Sequence, residues 1–154
     1  MAIPEVIPIL REEGYHTHYL GKVGRGKQFM GFVVATLPTP LPEDWQKHKR
    51  WYAVVHIFNK EGDHLETRHS YAGTTADGER DVTKKAMRML AELLMELGSY
   101  RYARSIKVKL FQTVIDGNTF GLIDASEPSE KYESVHLVPN DLAFFPPWTG
   151  EYDT

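Results

Sequence analysis

The chain has 154 residues, 42% of them hydrophobic and 25% charged, and a formal net charge of −3; it reads as one globular domain with a real core and no basic excess for nucleic acid. The absence of cysteine excludes disulfides, thiolate nucleophiles, iron–sulfur clusters and cysteine-ligated zinc, and suits a reducing cytoplasm. No apolar run approaches the ~18 residues of a membrane helix, and Pro4 and Pro8 break an N-terminus that lacks the basic start of a signal peptide.

Residues 1–14 read as an extended arm whose two prolines preclude a helix or an unbroken ladder. Residues 15–23 read as a strand, turned by Gly24, Arg25 and Gly26 into a second strand over 28–37, which Pro38, Pro40 and Pro42 stop. Residues 21–27 imitate the GxxxxGK spacing of a phosphate loop. Gln28 replaces the required Ser or Thr, however, and a strand follows where a helix should, so a basic hairpin turn is predicted. A loop with a helical turn around 43–47 leads to residues 51–59, apolar on both faces like a central strand covered from two sides. After a turn at 60–63, residues 64–72 alternate. Leu65, Thr67, His69 and Tyr71 fall on one face, and His64, Glu66, Arg68 and Ser70 on the other.

Residues 77–97 form the one stretch with a helical period. Val82, Ala86, Leu90, Leu93 and Leu97 make an apolar stripe, Asp77 is placed to cap the first amides, and Gly98 to end the helix. Residues 105–115 read as a strand, Asp116-Gly117 as a hairpin turn, 119–125 as the returning strand and 131–138 as a further one. The proline- and aromatic-rich tail, 139–154, is predicted to pack on the sheet face opposite the helix. Short links between neighbouring strands favour antiparallel pairing. The expected architecture is a single α+β domain over 1–154. It is a twisted, mostly antiparallel sheet of about six strands, ββββ-α-ββ[β], with one long amphipathic helix packed across one face.

Chemistry is sparse in the pattern. His16 and His18, two apart on a predicted strand, share a face and are the candidate metal ligands together with His69. His56, His64 and His69 approach one another through the second hairpin, with Glu66 or Asp63 as oxygen donors; such a set would leave a metal open for hydrolysis. The commoner role of a strand histidine is a half-buried ring satisfied by a neighbour, and no cofactor is called for. The loop entering the helix, with Thr74, Thr75, Asp77 and Glu79, offers amides and hydroxyls at the positive end of the macrodipole. These suit an anion or a partner's carboxylate, although Asp77 and Glu79 already bring negative charge there. Trp45 and Trp148, in the proline-rich loop and the tail, are candidate partner-binding aromatics.

IPEVIPI at 3–9, KRWYAVVHIFNKEGDH at 49–64, AGTTADGE at 72–79, FGLID at 120–124 and PWTGEYDT at 147–154 resemble an uncharacterised family of small bacterial proteins. Some of its members carry the label "formate hydrogenlyase regulatory protein HycA". The resemblance implies a bacterial, cytoplasmic protein and brings no catalytic residues. Three readings follow, in order. The first is a non-catalytic interaction protein of the immunity kind, whose Glu61, Asp63, Asp77, Glu79, Asp81, Glu127, Glu130 and Glu133 steer a basic toxin domain. The second is a ligand-binding regulatory domain, and the third a small metal-dependent hydrolase using His16 and His18. The expected partner is a protein, toxin or regulatory target, with no nucleic acid and no membrane. The chain is a monomer or a homodimer according to whether its strand edges pair or are blocked.

Overall fold

The computed structural model describes residues 2–154. Within them a helix layer, a central sheet and a second strand layer stack on one another. The central sheet is antiparallel and has five strands: β2 (Tyr19–Val23), β3 (Lys27–Thr36), β4 (Arg50–Asn59), β5 (His64–Thr74) and β6 (Tyr100–Tyr102), in the order β5-β4-β3-β2-β6. Helix α1 (Glu79–Glu96) lies across one face. The other face is covered by a four-stranded sheet of β8 (Phe111–Ile115), β9 (Asn118–Asp124), β10 (Val135–Val138) and β11 (Leu142–Phe144). Beside it runs the pair β1 (Ile7–Leu10) and β7 (Ser105–Val108).

Strand alternation explains why β4 is apolar on both faces. Tyr52, Val54 and Phe58 point to the layer of small sheets, while Ala53, Val55 and Ile57 point to Leu90, Leu93 and Leu94 of α1. The helix approaches closely because β3 has Gly31 beneath it; a Cβ there would lie 3.1 Å from Leu90 Cδ1. The helical stripe read from the sequence is the buried one, with Leu94 added and Leu97 packed at its end. Gly98, at φ 87°, closes the helix by donating its N–H to Met95 at 3.1 Å. At the other end the helix starts two residues later than read. Asp77 belongs to a preceding 3-10 turn and Gly78 takes the N-cap position with no side-chain bond.

The strands number more than six and divide among three sheets, for local reasons. The run 105–115 breaks after Val108, so β7 pairs with the N-terminal arm while β8 starts the four-stranded sheet. The arm does form a ladder despite its prolines. Pro8 lies opposite Lys107, whose N–H and C=O both turn away to bond the Gln28 side chain, so no proline N–H is missed. A bulge near the start of β5 leaves Leu65 unpaired and 48% exposed. It brings His64 onto the same face as Thr67, His69 and Tyr71, which a strict alternation separates. The tail packs where expected, with Phe144 buried and Trp148 and Tyr152 half-buried against the inter-sheet core, but the small sheets supply most of that cover.

Candidate functional site

The helix-entry loop gathers four of the residues singled out in the sequence. Asp77 Oδ2 accepts the Thr74 N–H at 2.9 Å and the Thr74 hydroxyl at 3.3 Å, completing a capping box. Thr75 Oγ1 accepts the Trp51 indole N–H at 2.9 Å, and the Thr75 N–H goes to the Lys49 carbonyl at 3.0 Å. Glu79 Oε1 lies 3.5 Å from Lys49 Nζ, which sits 5.0 Å over the Trp51 ring and 5.9 Å over that of Trp45. Every hydroxyl and carboxylate of this loop therefore has a partner within the chain. Its arrangement joins the loop before β4 to the helix start. Trp148 is elsewhere, held at φ 60° in the tail against the core.

His16 and His18 lie in the turn before β2, which begins only at Tyr19, so no strand aligns them on a common face. The Nδ1 of His18 accepts the Gly14 N–H at 2.8 Å, and its ring stands between Tyr19 and Tyr102, with centroids at 4.6 and 5.3 Å. His16 meets the ring of Tyr152 edge-on at 6.0 Å. His69, on β5, lies 6.5 Å from the Tyr52 ring. Among the described residues no three His, Asp or Glu side chains gather as a metal-binding group.

The second hairpin does bring two histidines together, through Thr67. Thr67 Oγ1 is 2.7 Å from His56 Nδ1 and 2.7 Å from His64 Nε2. His56 is fully buried, walled by Phe32 and Phe111 at 5.4 and 4.9 Å, and its Nε2 has no hydrogen-bond partner among the described residues. Burial first, and the nearby His64 second, push its pKa down to about 3, so it is neutral at physiological pH. His64 stacks on Phe111 at 4.6 Å and is also shifted down, by burial. The oxygen donors expected here are engaged elsewhere, Glu66 with Arg68 at 2.7 Å and Asp63 with Lys109 at 2.9 Å.

A second polar cluster was not legible beforehand, because its members lie 66 positions apart. The buried Tyr52 hydroxyl donates to Asp116 Oδ2 at 2.7 Å and accepts from Arg50 Nε at 2.9 Å. The guanidinium of Arg50 lies 4.2 Å over Tyr71. The hydrogen bond from Tyr52 holds the Asp116 carboxyl below the usual carboxylate range.

Two of the surface depressions bear on a partner. One is a depression of about 600 Å³ beside β9 and β10, rimmed by Asp124, Glu127, Glu130 and Glu133, with Tyr132 58% and Phe145 43% exposed at its margin. The other is a groove of about 390 Å³ along the end of β3, between Tyr15, Met87 and Asn140. The sequence reading named Glu127, Glu130 and Glu133 as acidic surface but gave no reason to join them to Tyr132 and Phe145, since these converge only through the β9–β10 connection and the tail.

Fold and surfaces define the class: a small α+β domain with one helix on an antiparallel sheet and a second strand layer behind it. Compared with family models, with curated proteins and with solved structures, the chain matches none of them.

Proposed function

We propose that the chain is a non-catalytic interaction protein of the bacterial cytoplasm, and that it docks a basic protein partner on its acidic, aromatic face. The immunity reading is the specific form of this proposal, with a toxin domain as the partner. The observation that carries it is the placing of Tyr132 and Phe145, both well exposed, among Asp124, Glu127 and Glu130. Exposed aromatics act as anchors at protein interfaces, and clustered carboxylates speed the encounter with a basic surface. Helix α1 gives rigidity to the sheet and the small sheets present the face. The resemblance to small bacterial proteins is compatible with this role and adds no catalytic group to it.

The test is binding to the protein encoded beside this gene, measured by titration calorimetry and by association kinetics. The Glu127→Lys, Glu130→Lys double variant should slow association at least tenfold and remove its salt dependence, and Tyr132→Ala should speed dissociation. A neighbour that fails to bind, or one whose binding ignores all three substitutions, overturns the reading.

A further inference from the structure

Strand β3 is paired along its whole length with β4, from Lys27 opposite Asn59 to Thr36 opposite Arg50. Its other edge is paired with β2 only from Lys27 to Gly31, because β2 begins at Tyr19. Among the described residues no backbone hydrogen bond reaches residues 32–36 from that side. Half of a central strand thus presents unpaired N–H and C=O groups, and Val33, Val34 and Ala35 are only half-buried. An edge of this kind is a template for another extended chain.

The groove of about 390 Å³ runs beside that edge, with Tyr15, 71% exposed, and Met87, 40% exposed, among its lining side chains. Asn140 lines it too. The Asn140 Oδ1 is shielded from solvent and has no hydrogen-bond partner among the described residues. Charge selects the occupant further. On α1 the positions neighbouring Met87 along the same flank are Arg80, Thr83, Lys84 and Ala91. Arg80 and Lys84 are exposed, and this stripe bears no carboxylate.

We infer that the free edge of β3 binds an extended, acidic peptide segment of another protein. The segment adds a strand in line with β2 and sets carboxylates against Lys84 and Arg80. This is recognition by strand addition, in which backbone bonds give affinity and the flanking side chains give selectivity. The site is separate from the acidic face and does not rest on it.

The probes are two seven-residue peptides, one alternating valine with glutamate and the other valine with lysine, each labelled for fluorescence polarisation. The glutamate peptide should bind at least tenfold more tightly, and in ¹⁵N amide spectra its shifts should centre on residues 32–36. Methylating its alternate backbone nitrogens should abolish binding, and Lys84→Glu, an exposed surface change, should remove the preference for the glutamate peptide, since only Arg80 then remains against it. No binding of either peptide at millimolar concentration, shifts centred on 124–136 instead, indifference to backbone methylation, or an unchanged preference in the Lys84→Glu protein would each overturn the inference.

Discussion

Gln28 and Lys107 join two sheets by a side chain acting as a strand. The Gln28 Nε2 donates to the Lys107 carbonyl at 2.9 Å, and Gln28 Oε1 accepts the Lys107 N–H at 2.9 Å, as a neighbouring backbone would. The same Nε2 reaches the Asn59 carbonyl at 2.9 Å, so one buried amide ties β3, the end of β4 and β7 together. Residue 28 is where a phosphate loop would require a hydroxyl. Its real work is to hold the layers in register.

Gln28→Leu should therefore cost stability out of proportion to its size. It leaves the Lys107 N–H and carbonyl without their Gln28 partner, at about 1–3 kcal/mol for each such group that is buried, while the Asn59 carbonyl keeps the Gly62 N–H at 3.0 Å. Urea denaturation should show a lowered midpoint, and hydrogen exchange should accelerate first at the Lys107 amide. An unchanged midpoint would mean that water replaces the amide at this junction.

The buried His56 makes stability depend on pH. Its pKa is about 3 in the folded chain, against 6.5 for an ordinary histidine, so the unfolded state binds the extra proton first. Stability is then fully present above pH 6.5 and falls as pH drops from there toward 3, with a slope of up to about 1.4 kcal/mol per pH unit from this group. His64, shifted the same way, adds to the trend. Replacing His56 by Phe should flatten the slope in acid denaturation followed by circular dichroism, whatever its effect at neutral pH.

Tyr52→Phe should cost about 1–2 kcal/mol, since the hydroxyl is buried and bonded on both sides. Its clearer readout is Asp116. Without the Tyr52 hydroxyl, whose hydrogen bond is the largest influence on it, that carboxyl should titrate closer to the ordinary range in carbon-13 NMR. A carboxyl that keeps its depressed pKa in the variant would assign the shift to Arg50 instead.

Asp77→Ala should remove the capping box and cost about 1 kcal/mol. Its thermal midpoint should fall, while millimolar phosphate or sulfate leaves the wild-type chain unaffected, because the loop's own carboxylate fills the place of an anion. Stabilisation of the wild-type chain by either anion would restore a binding role to Thr74 and Thr75.

Local signals in the sequence determined much of this protein. The stripe from Val82 to Leu97 with Gly98 behind it, the Asp116-Gly117 turn and the two apolar faces of β4 each arise from residues a few positions apart, where period and turn chemistry dictate conformation. Tertiary structure decided everything that depends on distant partners. It split 105–115 between two sheets, because β1 and β9 compete for different halves of it. A bulge at Leu65 turned His64 inward, and Thr67 joined it to His56 where spacing alone suggested a metal. The late start of β2 at Tyr19, set by a turn and not by hydrophobic pattern, left half of β3 uncovered. Periodicity shows which face of a strand is buried; only the assembled sheet shows which of its edges is left without a neighbour.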